Sequence, residues 1–119
     1  MDTTMGMTPL DGLMMTSRSG SVDPGMLLWL QTEHGLPAGD LTDALNHRSG
    51  LLGLSDLSAD TRDLVVARHQ GNEAAALALG AFVRSVAAGV AAMASGLERL
   101  DALVFTGEIG WDQPEIRTE

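Results

Sequence analysis

Apolar residues recur with a helical period over most of this 119-residue chain. In the stretch VDPGMLLWLQTEHG, Asp23 can cap a helix, Pro24 suits its first position and Gly35 can end it. The pattern therefore predicts a helix between Asp23 and Gly35. A second short helix is predicted in GDLTDALNHRSG, with Asp40 capping it and Gly50 ending it.

The second half of the chain predicts two more helices and one strand. An apolar loop punctuated by glycines is expected after Gly50, and a helix is expected to start after Ser58. A long helix is predicted from about Glu73 to Arg99, because its larger apolar residues share one stripe. That stripe consists of Leu79, Phe82, Val83, Val86, Val90, Met93 and Leu97. The run LDALVFTG at 100–107 predicts a fully buried strand.

This inventory predicts an α/β fold that is predominantly helical in these residues, with one clear strand. A single strand cannot form a sheet, because its backbone N–H and C=O groups need partners. Those partner strands are expected either in residues 1–20, which read as short extended pieces and turns, or in chain outside the 119 residues. The chain is therefore expected to be a piece of a larger fold.

Composition narrows the classes of partner. Seven basic residues against sixteen acidic ones give a net charge of −9, which argues against DNA or RNA as a ligand. A small nucleotide stays possible, since backbone amides and one arginine can hold its phosphates. No cysteine is present, and His34, His47 and His69 lack ligand spacing, so no metal site is predicted.

The sequence also allows a prediction of where in the cell the protein is found. The opening MDTTMGMTPL lacks the charged and apolar regions of a signal peptide, so a cytoplasmic protein is expected. The apolar segment 74–97 carries Arg84 near its middle, which would cost about 2.5–3.5 kcal/mol in a bilayer. We therefore interpret it as a core helix of a soluble protein and expect no membrane partner.

Four stretches together resemble the acetate kinase family, the acetokinases that phosphorylate acetate or propionate with ATP. They are DTTMGMTPLDGLMMTSRSGSVDPG at 2–25, LNHRSGLLGLSDLSADTRDL at 45–64, GNEAAALALGAFVRSVAAGVAAM at 71–93, and LDALVFTGEIGWDQPEIR at 100–117. The resemblance implies a lobe of the actin-like, sugar-kinase and heat-shock ATPase superfamily, which has a ribonuclease-H-like sheet. Residues 1–119 would form a single partial domain, mostly the C-terminal lobe of a longer kinase. ATP or ADP, Mg²⁺, an acetate or propionate acceptor and a homodimer are implied with it.

The resemblance also assigns roles to residues of this chain. Arg18 would be the active-site arginine that stabilises charge on the transferring phosphoryl group. Contacts to the adenine nucleotide would come from two segments: Asp60, Thr61 and Arg62, then Gly107, Glu108, Ile109, Gly110 and Asp112. The metal-associated glutamate and the first phosphate-binding loop of the family fall outside the 119 residues.

Departures from the family pattern concentrate in the second segment. Where relatives have a Gly-Gly-Ile-Gly-Glu-Asn-like run, this chain has Glu108 in place of a glycine, and Trp111-Asp112 in place of the Glu-Asn pair. Glu108 adds bulk and negative charge, and Asp112 cannot donate the hydrogen bonds of an asparagine amide. We therefore predict an acetate kinase segment that is inactive alone. The alternatives are a non-catalytic module that self-associates or binds a partner, and a truncated product without an independent role.

Overall fold

A computed structural model describes residues 3–118 as helices joined by loops. Met1, Asp2 and Glu119, the ends of the predicted single domain, lie outside the described residues. The helices are α1 (Pro24–Thr32), α2 (Ala38–His47), α3 (Gly50–Ser55), α4 (Thr61–His69), α5 (Glu73–Ala94), α6 (Gly107–Asp112) and α7 (Pro114–Thr118).

The start of α1 is confirmed, its end at Thr32 comes before the predicted stop at Gly35, and the start of α2 differs from the prediction. The Asp23 carboxylate accepts a hydrogen bond from the Gly25 backbone N–H at 2.8 Å, and Gly35 follows the helix with φ +62°. Pro37, and not Asp40, caps α2. Asp40 lies in the first turn, where its charge favours the positive end of the helix. Pro37 fixes the extended backbone that leads into α2, and its side chain accepts no hydrogen bond from the first amides of the helix.

Helix α3 was expected to be a loop, and that prediction was wrong. Its free N-terminal amides find partners in a remote loop: Leu51 N–H donates to the Met15 carbonyl at 3.0 Å, and Leu52 N–H donates to the Thr16 carbonyl at 2.9 Å. A six-residue helix cannot persist on its own propensity. These long-range hydrogen bonds and the burial of Leu51 stabilise it.

The core lies where α3 and α4 pack against the first half of α5. Its buried residues are Leu51, Leu64, Ala67, Ala75, Ala78, Leu79 and Phe82. The alanines of α5 let neighbouring helices approach closely, so a few leucines and one phenylalanine suffice to fill the space. Helix α4 starts at Thr61 and is capped by the Asp60 carboxylate, in agreement with a predicted start after Ser58.

Helix α5 is shorter than predicted. It ends at Ala94 rather than Arg99, because the Ser95 hydroxyl turns back onto the Ala92 carbonyl at 2.6 Å and Gly96 follows. The predicted stripe is its less exposed face from Leu79 to Met93, whereas Leu97 lies beyond the helix and is exposed. By length and composition α5 alone, among the described residues, could cross a membrane, which is weak evidence because core helices also meet that test.

The prediction of a strand at 100–107 was wrong, because these residues form no strand in the described part of the chain. Residues 101–106 have no regular secondary structure, and Leu103, Val104 and Phe105 are exposed rather than buried. Their backbone groups form no backbone hydrogen bond with another described segment. The apolar run is real, but a strand is defined by its neighbours, and the described residues supply none. Residues 3–20, the other source considered, form turns and bends.

The molecule is open and flat for its length. Its extents are 48 × 40 × 19 Å, and its radius of gyration of 15.8 Å exceeds the value of about 13.5 Å expected for a compact domain of this size. The accessible surface of 8055 Å² likewise exceeds the area of about 6,200 Å² that is expected for a compact monomer of this mass. Much apolar surface is therefore uncovered, as expected for a piece of a larger fold.

Candidate nucleotide site

A cavity of about 520 Å³ lies between the start of α4 and helix α6. Both segments that the sequence assigned to the nucleotide contribute to its wall, although they are distant along the chain. The lining residues are Thr16, Ala59, Asp60, Thr61, Arg62, Glu108, Ile109, Trp111, Asp112 and Gln113. The volume is within the range of pockets that take small organic ligands.

The α4 side of the cavity is organised by an Asp60–Arg62 ion pair. The Arg62 Nε donates to both Asp60 carboxylate oxygens, at 2.9 and 3.1 Å, and its Nη2 binds the same carboxylate. Asp60 also accepts from the Arg62 backbone N–H at 2.9 Å as the cap of α4. The side-chain hydrogen bond to Arg62, followed by the backbone one, lowers the pKa of Asp60 from 3.8 to about 2. Thr61 is buried beside the pair.

The α6 side of the cavity is acidic. Glu108 and Asp112 are close enough to Arg62 to raise the pKa of its guanidinium, after the larger contribution of the hydrogen bond to Asp60. Arg62 therefore pairs with Asp60 on its own side and faces two further carboxylates on the α6 side. Phosphate groups would meet net negative charge here, so the cavity favours an uncharged or cationic group.

Two glycines predicted to contact the nucleotide do not line the cavity, but they shape α6. Gly107 has φ +77°, which an L side chain rarely adopts, and it begins the helix. A Cβ at Gly110 would lie 3.4 Å from the Phe105 side chain. The Arg117 Nη1 donates to the Gly110 and Trp111 carbonyls, at 2.8 and 2.6 Å, and so satisfies the C-terminal end of α6.

Arg18 lies near the cavity without lining it. Its loop is fastened to the α2–α3 junction: Ser19 N–H donates to the Leu45 carbonyl at 3.0 Å, and Ser49 N–H donates to the Ser17 carbonyl at 2.9 Å. Thr16, two residues away, reaches the cavity wall. The Arg18 Nε is buried and has no hydrogen-bond partner among residues 3–118, and its Nη1 lies 3.9 Å from the Met15 sulfur.

Gly50 makes that fastening possible. It has φ +62°, and a Cβ there would overlap the Met15 carbonyl oxygen and lie 2.7 Å from the Arg18 carbonyl oxygen. Only a glycine lets the Arg18 loop approach α3 this closely. The sequence placed Gly50 at the end of a helix, whereas it lies at the start of the next one.

Four lining residues were not assigned from the sequence. Ala59 and Gln113 flank assigned residues, so a wider window would have included them. Thr16 belongs to the loop that carries Arg18, and nothing in the sequence around it indicates that it lines the same cavity as α4. Trp111 was noted only as a departure from the family pattern, yet it lines the cavity and is 80% exposed. Among residues 3–118, no group of three His, Cys, Asp or Glu side chains could hold a metal ion.

The sequence of the chain matches a known protein family. The sequence model of the Acetokinase family matches residues 1–119. A propionate kinase of Citrobacter koseri is 49% identical over 116 residues, which cover 98% of this chain and 29% of that protein. An acetate kinase of Deinococcus radiodurans is 51% identical over 118 residues, which cover 99% of this chain and 30% of that protein.

Solved structures agree with the sequence matches. A crystal structure of Porphyromonas gingivalis acetate kinase superposes with a TM-score of 0.91 at 42% identity, covering 97% of this chain and 29% of that one. A propionate kinase from Francisella tularensis gives 0.91 at 40% identity, covering 96% and 29%. The chain thus spans under a third of the length of these relatives. Its fold is that of part of an acetate or propionate kinase, and these comparisons give no support to a non-catalytic module. By sequence and by fold, the chain belongs to the acetokinase family of kinases.

Proposed function

We propose that this chain is the nucleotide-binding part of a kinase that transfers a phosphoryl group from ATP to acetate, giving acetyl phosphate and ADP. The observation that carries the proposal is the cavity between α4 and α6. Its wall contains Asp60 to Arg62 together with Glu108, Ile109 and Asp112, which the family resemblance assigned to the adenine nucleotide. Acetate and propionate kinases at about 50% identity support the acyl acceptor class.

In this proposal the nucleotide enters with its nucleoside in the cavity. Asp60 orients the Arg62 guanidinium through their hydrogen bonds, and Arg62 offers the one cationic contact of the α4 wall. Helix α6, which Gly107 begins and Arg117 closes, supplies the opposite wall. The charge of Glu108 and Asp112 keeps the phosphates away from this wall.

Arg18 is proposed to stabilise negative charge on the phosphoryl group during transfer. A guanidinium provides several N–H donors in a fixed plane, which suits phosphate oxygens. The hydrogen bonds that fasten its loop to α2 and α3 support a fixed position. Such preorganisation is the main way in which kinases accelerate phosphoryl transfer.

Mg²⁺ belongs to this proposal only as a companion of the nucleotide. The described residues form no metal cluster, and Mg²⁺ in kinases is held by nucleotide phosphates together with one or two carboxylates. The residues present therefore do not make a magnesium site of their own, and no step is assigned to the metal.

The remaining parts of the proposal concern assembly and location. We propose that residues 1–119 form most of a C-terminal lobe, that the complete kinase is a homodimer through this lobe, and that it is cytoplasmic. The uncovered α5 surface, rich in alanine and glycine, supports close packing against another helix. A net charge of −9 supports the absence of a nucleic-acid partner.

The 119-residue chain alone is proposed to be inactive, because one arginine on an open cavity provides little of the positioning that phosphoryl transfer needs. The check is acetyl phosphate formation from ATP and acetate by the purified chain. Turnover above the background of an Arg18→Ala variant would contradict this part of the proposal.

Binding of ADP with Mg²⁺ to the same chain tests the site itself, by titration calorimetry. Arg62→Ala is expected to abolish saturable binding. Arg99→Ala is the matched control, because Arg99 also pairs with an aspartate two residues away, Asp101, at 2.6 Å and outside the cavity. Equal losses in both variants, or no binding to the parent chain, would overturn the proposal.

A further inference from the structure

Trp111 lines the cavity from the α6 side. The residue is 80% exposed. The ring contact found in residues 3–118 joins Trp29 and His34, with centroids 4.3 Å apart, so the described chain stacks no ring on Trp111. The other lining side chains are aliphatic, hydroxyl, amide or charged. Trp111 is therefore the single aromatic surface of this cavity within the described part of the chain.

Hydrogen bonds hold the backbone at Trp111 in place, although the residue itself is exposed. The Trp111 carbonyl accepts a hydrogen bond from Arg117 at 2.6 Å, and the Gly110 carbonyl accepts another at 2.8 Å. Ile109, on the same short helix, packs against the core cluster. The indole thus projects from an anchored position, and a ligand that covers it would not have to order the backbone first.

The charges around Trp111 determine which ligand group suits it. Asp60, Glu108 and Asp112 outnumber Arg62, so a phosphate is disfavoured at this end of the cavity. A planar group without charge gains stacking energy on the indole and meets no repulsion. A nucleobase has this chemistry, and a purine offers more overlap with an indole than a pyrimidine.

We infer that Trp111 is the stacking surface for the purine base and sets the nucleotide preference of this chain. The inference rests on the proposed nucleotide site and adds to it a specificity-determining residue. Base–aromatic stacking is worth enough that its loss lowers affinity by roughly ten- to a hundredfold.

Tryptophan fluorescence provides the test, because the chain has two tryptophans. In a Trp29→Phe background Trp111 is the sole emitter, and its emission is followed while adenosine, ADP or cytidine is added. Saturable quenching by adenosine and ADP, with cytidine at least tenfold weaker, is expected. Pyrophosphate, which has no base, is expected to leave the emission unchanged.

Calorimetry with Trp111→Ala and Trp111→Phe completes the test. The alanine variant is expected to lose affinity for adenosine at least tenfold, whereas the phenylalanine variant retains most of it. Because Trp111 is exposed, both variants are expected to keep the parent circular dichroism spectrum. Undiminished ADP binding by Trp111→Ala would overturn this inference and leave the nucleotide site standing. No ADP binding to the parent chain would overturn both.

Discussion

Glu115 of α7 accepts a hydrogen bond from the Arg68 guanidinium of α4 at 3.1 Å, and this contact joins α4 to the helix that directly follows α6. His69 Nε2 lies 3.4 Å from the same Glu115 oxygen. The Arg68 side chain is 22% exposed and that of Glu115 is 43% exposed, so solvent screens the pair only in part.

Replacing Glu115 by glutamine is expected to destabilise the chain modestly. The variant keeps the shape of the side chain but loses its charge, and a partly exposed pair is worth roughly 0.5–1 kcal/mol in the free energy of unfolding. Urea denaturation measures the loss, with Glu98→Gln as control because no ion pair of Glu98 is found in the described residues. The difference should shrink in 1 M NaCl, and a difference that persists there would argue against an ionic origin.

Two glycines with the same backbone angle are expected to respond very differently to alanine. Gly50 and Gly35 both have φ +62°, but a Cβ at Gly35 meets nothing within 4 Å, whereas at Gly50 it overlaps the Met15 carbonyl. Gly35→Ala should therefore cost only the left-handed strain, roughly 1–2 kcal/mol. Gly50→Ala should cost clearly more and release the Arg18 loop. Thermal unfolding measures both, and equal costs would contradict the close approach.

Stability should fall in acid partly through Asp60. Its pKa is about 2 in the folded chain against an ordinary value of 3.8, so the unfolded chain binds this proton more readily. The contribution of Asp60 is therefore complete above about pH 4 and is lost as the pH falls towards 2. Asp60→Asn retains a capping oxygen but not the charge, so its unfolding free energy should depend less on pH in this window.

Asp23→Asn is the matched control for that measurement. Asp23 caps α1 as Asp60 caps α4, but it forms no ion pair within residues 3–118. An acid dependence that changes as much in Asp23→Asn as in Asp60→Asn would exclude the Asp60–Arg62 pair as the source.

Removing two charges from the α6 wall is expected to improve nucleotide binding. Glu108→Gln with Asp112→Asn preserves shape while eliminating repulsion of phosphates, so affinity for ADP should rise several-fold at low salt. Adenosine, which lacks phosphates, should bind the variant and the parent equally. Titration calorimetry measures the affinities of the parent chain and of the double variant for both ligands. An equal gain in affinity for adenosine would indicate a cause other than charge.

Local signals in the sequence predicted the features that depend on neighbouring residues. Asp23 and Pro24 start α1 as expected, and the stripe of α5 faces the core. Helix α3 could not be predicted in this way, because its amides are satisfied by Met15 and Thr16. Capping by Pro37 was missed because Asp40, three residues later, has the stronger local preference.

The same reasoning explains the mixed outcome for the site and the strand. Two segments were assigned to the nucleotide by resemblance, and residues of both line one cavity. Thr16 was missed because only tertiary structure places it there. The apolar run at Leu103–Phe105 matches a buried strand, but the sheet that would bury it is not among the described residues.

The uncovered segment 101–106 has a consequence for handling the chain in solution. Six residues, DALVFT, combine high strand propensity with one charge and no proline or glycine, and their backbone groups are free to pair. Such segments template edge-to-edge association between copies. The isolated chain is therefore expected to aggregate above a limiting concentration. Val104 is 79% exposed, so Val104→Lys should raise that concentration without altering the helical core.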